Sequence, residues 1–195
     1  METTSLSLLE RACQNSDAEA WRVLADIYTP WLRRWCRKGG LQESDVDDVV
    51  QDVLVVVARE LPNFRHNRRL GAFRAWLRGI LVHRLQDLRR RAQHRPAAMG
   101  GTECLEWLQE FADPQGELSR LWDQQHDQHV LRQLLTRVES RFSASTVQAF
   151  RRIVLDQVDA DDAAREIGLS LNAVVVAKCK VLKELRREAR GLLED

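Results

Sequence analysis

Glycine and proline are scarce in this chain, at 9 and 4 of 195 residues. A sheet protein rich in tight turns needs more of both, so the scarcity points to helices. Cysteine is thin as well. Cys13, Cys36, Cys104 and Cys179 lie far apart with no CxxC pair. That argues against a disulfide framework or a zinc site and leaves reduced cytosolic thiols as the expectation. No apolar run approaches the ~18 residues of a membrane span; the longest is VLVVVA. The start METTSLSLLERACQ has no basic stretch followed by an apolar core. No secretory signal is expected, and neither is membrane insertion; the expected location is cytoplasmic. Catalytic signals are missing too. The sequence has no nucleophile–base set, P-loop or metal-ligand array, so neither an enzyme nor a cofactor is expected.

Net charge is almost absent, at +1 from 30 Lys or Arg against 29 Asp or Glu. Spread evenly, that balance would speak against a nucleic-acid partner. It is not spread evenly. Residues 40–61 hold six acids (Glu43, Asp45, Asp47, Asp48, Asp52, Glu60) against Arg59, and residues 65–95 hold ten arginines against Asp87. Residues 96–129 reverse the sign, with seven acids against Arg120, and 178–190 carry six bases against Glu184 and Glu188. An arginine block of that density is a phosphate footprint or a solvated helix face.

The apolar fraction of 44% is that of a globular protein rather than a disordered chain. The length fits one large domain or two small ones. Trp21, Leu24, Tyr28, Trp31 and Trp35 recur at helical spacing, which predicts a helix over 17–38, bent at Pro30 and stopped by Gly39 and Gly40. A second helix is expected at 45–61. Ser44 suits its N-cap, and Val46, Val49, Val50, Val53, Val57 and Leu61 supply the inward stripe. Asp48, Asp52, Val55 and Arg59 then share the outward face, suited to a basic partner surface or to solubility alone.

A short basic loop, PNFRHNRRLGAF, precedes a helix over 70–92. Its core stripe is Phe73, Leu77, Ile80, Leu81, Leu85 and Leu88. Trp76, Gly79, His83, Gln86, Asp87 and Arg90 fall on the far side. An aromatic, a histidine, an amide and an arginine together suit stacking on bases and hydrogen bonding to them. Residues 93–116 gather Pro and Gly, which predicts a linker around the amphipathic piece CLEWLQEF. His126 and His129 in HDQH could share a metal at i, i+3, but two exposed polar residues on an acidic helix is the plainer account. Helices are further expected near 117–140, 144–157, 160–167 and 170–190.

The last two carry the sharpest signal. Ala164, Gly168 and Val174 have helix-turn-helix spacing, with a small residue for close approach, glycine for the turn and valine for packing. Ser170 caps the second of these helices. Its inward stripe is Leu171, Val174, Val175, Val181, Leu182, Leu185 and Ala189. Lys178 falls within that stripe and would have to snorkel. The fold class is therefore all-α, two small helical domains joined by a flexible linker, the C-terminal one containing a helix-turn-helix.

Taken together the chain resembles the sigma-70 family of bacterial RNA polymerase sigma factors, in its compact ECF (extracytoplasmic function) type. DAEAWRVLADIYTPWLRRWCR resembles the family's first conserved helix, and DVDDVVQDVLVVVAREL its acidic polymerase-docking helix. FRAWLRGILVHRLQDLRRR resembles its −10-melting helix. TVQAFRRIVLDQVDADDAAREIGLSLNAVVVAKCKVLKELRRE resembles its −35-reading module. The resemblance implies residues 1–95 as a region 2-like domain, 96–116 as linker and 117–195 as a region 4-like domain.

It also implies core RNA polymerase and promoter DNA as partners. Asp45, Asp48, Gln51, Asp52 and Arg59 would contact polymerase. Asn63, Arg65, His66, Asn67, Arg68 and Arg69 would capture an unpaired −10 base, and Arg74, Trp76, Arg78, His83, Asp87 and Arg90 would face the −10 DNA. Ser170, Asn172, Ala173, Val176, Lys180, Lys183 and Arg187 would meet the −35 duplex. One departure stands out. Where the family commonly places Thr, Lys, Ser and Arg after the cap, this chain has AVVVA, so apolar contact to thymine methyls is one substitute for polar readout. Family members are often held by an anti-sigma protein, which could bind here too. Two other readings remain open: a stand-alone helix-turn-helix regulator, and a helical adaptor whose charge blocks pair with each other.

Overall fold

The computed structural model describes residues 7–14, 17–64, 71–92 and 102–193. The described residues form helices α1 (Leu8–Cys13), α2 (Ala18–Lys38), α3 (Glu43–Glu60), a 3-10 turn (Leu61–Asn63), α4 (Ala72–Ala92) and α5 (Thr102–Ala112). These are followed by α6 (Glu117–Glu139), α7 (Ala144–Val154), α8 (Ala160–Ile167) and α9 (Leu171–Ala189). No strand occurs among them beyond an isolated bridge between Arg190 and Leu193. The all-α expectation holds.

Helix α1 adds to the helices expected from the sequence, and its start is marked locally. Ser7 accepts from the Glu10 amide while the Glu10 carboxylate accepts from the Ser7 amide, a reciprocal capping box. Helix α2 continues through Pro30 and buries Leu24, Tyr28, Trp31 and Trp35. Helix α3 begins earlier than expected. Its N-cap is Gln42, without a side-chain cap bond, so Ser44 lies inside the first turn. All six residues of its inward stripe are buried.

Helices α1 to α6 share one core. An aromatic cluster joins α2, α5 and α6: Trp35 stacks on Phe111 at 5.0 Å between centroids, and Trp122 lies 5.1 Å from Trp31 and 5.2 Å from Trp35. At the end of α2, Gly39 sits so close to the Trp107 ring that an added Cβ would lie 2.7 Å from it. The amphipathic piece expected within 96–116 is thus α5, with Cys104, Leu108 and Phe111 buried; residues 96–101 lie outside the described residues. The core does not stop at residue 117. Trp122, His126, Val130 and Leu134 of α6 are buried on the N-terminal side, whereas Val138, one turn on, belongs to a separate cluster with Phe150 and Val181. One helix therefore serves two cores.

In the C-terminal unit Ala163, Ala164, Val174 and Ala177 are buried together with Ala149. Gly168 closes α8 at φ +72°, the left-handed region, and donates its amide to the Ala164 carbonyl. Ser170 caps α9, accepting from the Ala173 amide at 3.2 Å. The inward stripe read for α9 needs two corrections: Leu171 and Val175 are exposed, and Ala177 takes the buried place between Val174 and Val181. Lys178 is half-buried. The C-terminal turn returns to the first core, where Leu192 is buried.

Candidate nucleic-acid interface

Three surfaces carry the candidate residues. On α3, Asp48, Gln51, Asp52, Val55 and Arg59 are exposed and Asp45 is half-exposed. Three of the six acids near this helix are neutralised within the protein. Arg37 donates to Glu43 at 2.6 and 2.9 Å, Arg33 pairs with Asp47 at 2.7 Å, and Arg59 pairs with Glu60 at 3.0 Å. Asp48 and Asp52 have no ion-pair partner among the described residues, so their charge is presented outward. Val55, 58% exposed, stands on the same face. Beside them Trp21, Ala25, Val50, Leu54 and Ala58 line a groove of about 450 Å³ between α2 and α3.

The second surface belongs to α4. Trp76 is half-exposed, held by Phe64 at 4.7 Å and Phe73 at 5.6 Å between centroids. His83 and Arg90 are exposed, and Gly79, Gln86 and Asp87 are half-exposed on the same side. Asp87 pairs with Arg84 at 3.2 Å and with Arg90. Hydrogen bonding from Arg90 holds the Asp87 carboxyl below the usual carboxylate range.

Arg74 and Arg78, expected to face DNA, are instead buried. Their α4 positions turn toward α6, where Arg74 lies 3.3 Å from Asp123 and 3.2 Å from Asp127. Burial lowers the Arg78 pKa, with Asp123 and Asp113 opposing it. Part of the arginine block is thus spent against the acidic block that follows it. Of the loop, Asn63 is exposed at the end of the 3-10 turn; Arg65, His66, Asn67, Arg68 and Arg69 lie outside the described residues.

The histidines of HDQH are not exposed. His126 is fully buried, with Nε2 2.9 Å from the Tyr28 hydroxyl and Nδ1 2.9 Å from Asp127. His129 lies 2.7 Å from the Ile27 carbonyl. Burial lowers both pKa values. Each ring is committed to docking α6 on α2, and no metal-binding group of three ligands occurs among the described residues.

The third surface is α9. Ser170, Asn172, Val176, Lys180 and Lys183 are exposed and Ala173 is half-buried. Arg187 departs from the expectation: it bends back onto Glu184 and Glu188, the latter at 2.8 Å. Arg141 reaches the same carboxylates at 2.5 and 2.7 Å. Burial raises the Glu188 pKa, but the hydrogen bonds from Arg141 and Arg187 outweigh it and leave it lowered. Arg141 thus ties the turn after α6 to α9, and Arg187 shares the carboxylates it holds.

The acidic face of α3 and the aromatic-and-basic face of α4 both lie within a segment that matches a known family model. Residues 24–95, from α2 past the end of α4, match the model of sigma-70 region 2. This segment is therefore similar to sigma-70 region 2, and the chain is similar over part of its length to two bacterial sigma factors. It is 33% identical over 115 residues to the RNA polymerase sigma factor NccH of Alcaligenes xylosoxydans xylosoxydans, covering 58% of this chain and 60% of that protein. It is 42% identical over 59 residues to the RNA polymerase sigma factor CnrH of Cupriavidus metallidurans, covering 30% of this chain and 29% of that protein. The matches thus span less than two thirds of either relative. Among the described residues no helix is long and apolar enough to cross a membrane.

Proposed function

We propose that this protein is an alternative sigma factor that binds core RNA polymerase and directs promoter recognition, −10 melting and initiation. The observation that carries this reading is the match of 24–95 to sigma-70 region 2, on helices whose outward faces are sharply segregated by charge. Asp48 and Asp52, unneutralised and flanked by Val55, suit a basic polymerase surface with an apolar centre. Residues 1–95 supply this docking face and the −10 face, and residues 117–195 supply the −35-reading module.

The mechanism is one of positioning. Polymerase docking on α3 fixes the factor over the promoter. Lys180 and Lys183 lie near phosphates while the first turns of α9 reach base edges in the major groove. Trp76, His83 and Arg90, with the loop at 65–69, hold an unstacked −10 base. Unstacking costs a few kcal/mol, which stacking and hydrogen bonds to the extruded base offset. No bond is made or broken by the protein, so it needs no catalytic residue or cofactor. An anti-sigma protein covering the α2–α3 groove would compete with polymerase.

Run-off transcription with core polymerase and a promoter library tests the reading. Promoter-specific transcripts that depend on this chain are expected. Their absence, with tight operator binding by the chain alone, would favour a stand-alone regulator instead.

A further inference from the structure

Leu171, Val175 and Val176 stand 46%, 41% and 40% exposed at the N-terminal end of α9. At ~100° per residue, Asn172, Val176, Cys179 and Lys183 fall on one face, and all four are exposed. In the first two turns of that face Asn172 is the only side chain with an amide donor and acceptor. Farther along, Lys180, Lys183 and Arg186 are exposed and have no ion pair among the described residues. The acids of the same helix are turned inward: Glu184 and Glu188 are held by Arg141 and Arg187. The exposed side of α9 is therefore cationic with an apolar tip.

That combination selects its occupant. The cationic flank calls for a polyanion, and an apolar side chain needs an apolar contact within it. The floor of the DNA major groove offers one, the C5-methyl of thymine, while a nearby Asn pairs with adenine N6 and N7. Asn172 and Val176 are four residues apart, a rise of about 6 Å, so their side chains reach base pairs one to two steps of ~3.4 Å apart.

We propose that Val176, flanked by Val175, is a specificity determinant that reads thymine C5-methyl groups in the upstream promoter element, with Asn172 reading an adjacent adenine. The inference rests on the sigma-factor reading above and adds to it the chemistry of the recognised bases. The element recognised is consequently A·T-rich at the positions under the first two turns of α9, and its readout depends on a methyl group rather than on the Watson–Crick pair alone.

The test uses the full chain with core polymerase. Transcription from a library randomised over the upstream element first yields the preferred sequence. Each enriched thymine is then replaced singly by uracil, which keeps the base pair and removes only the methyl. Promoter affinity of the assembled holoenzyme should fall about fourfold at one or two positions, the size expected for one buried methyl-sized group. Val176→Ala, at an exposed site, should fold normally, bind the thymine promoter more weakly and no longer distinguish thymine from uracil there. Equal affinity for thymine and uracil templates at every position, or an enriched element without thymine, overturns the inference and leaves the sigma reading standing. No promoter-specific transcript from any library member overturns both.

Discussion

The Tyr28 hydroxyl lies 2.9 Å from Nε2 of His126, fully buried, and joins α2 to a helix 98 residues farther along the chain. With Nδ1 2.9 Å from Asp127, the neutral imidazole is satisfied on both sides: it donates from Nδ1 and accepts from the tyrosine. Tyr28→Phe leaves Nε2 buried without a donor. The expected cost is about 1–3 kcal/mol, read as a lower denaturant midpoint with an unchanged slope.

The same contact makes stability depend on pH. Burial holds the His126 pKa below its usual value, against the pull of Asp127 and Asp123, with Arg74 assisting. A base with a depressed folded pKa binds protons more readily when unfolded. Its contribution is therefore full above the ordinary histidine pKa, near ~6.5, and is lost as pH falls below that. His129 acts in the same direction. The thermal midpoint should be steady from pH 8 to 7 and drop on acidification, and His126→Gln should flatten the drop. An equally steep drop in that variant would place the proton uptake elsewhere.

Two arginines of α4 should separate fold from function. Arg74 is buried against Asp123 and Asp127, which are 41% and 35% exposed. Removing a charge from a fully buried pair costs roughly 3–5 kcal/mol. Here the carboxylates retain water, so Arg74→Ala should cost about 2 kcal/mol. Arg90→Ala, on the exposed face, should leave the unfolding midpoint unchanged and weaken promoter opening by the reconstituted holoenzyme. Chemical denaturation and open-complex assays on both variants check the contrast.

Asp52→Lys reverses an exposed, unpartnered charge on α3. Core-polymerase affinity should fall roughly tenfold, ~1.4 kcal/mol, with thermal stability preserved. Titration of labelled chain into core polymerase measures it, and undiminished affinity would remove α3 from the docking surface.

What the sequence shows of the fold depends on how far each residue's partner lies. The valine stripe of α3 was legible because one helix with one buried face repeats its pattern locally. Gly168 and Ser170 were legible because a turn and a cap are satisfied within a few residues. Arg74 and Arg78 were not, since the carboxylates that claim Arg74 arrive on α6, about fifty residues later. The polarity of HDQH hides the burial of His126. Its phase reveals it: Trp122, His126, Val130, Leu134 and Val138 repeat at helical spacing, and all are buried. Arg187 falls by position on the basic face, while Arg141, in the turn between α6 and α7, shares the carboxylates that hold it inward.

Gly79 offers the sharpest separation of stability from function. It sits in the interior of α4, where a Cβ would meet nothing within 4 Å. Glycine in a helix interior costs roughly 0.5–1 kcal/mol relative to alanine, so Gly79→Ala should stabilise the protein by about that amount. No packing contact requires the missing side chain. Its neighbours on the face are Trp76 and His83, and if this is the −10 face, as proposed, bare backbone between them would let an extruded base or its phosphodiester approach closely. Gly79→Ala should therefore raise the denaturation midpoint and lower promoter melting in the same preparation. A variant that is both more stable and fully active would show that this face of α4 does not meet the −10 strand.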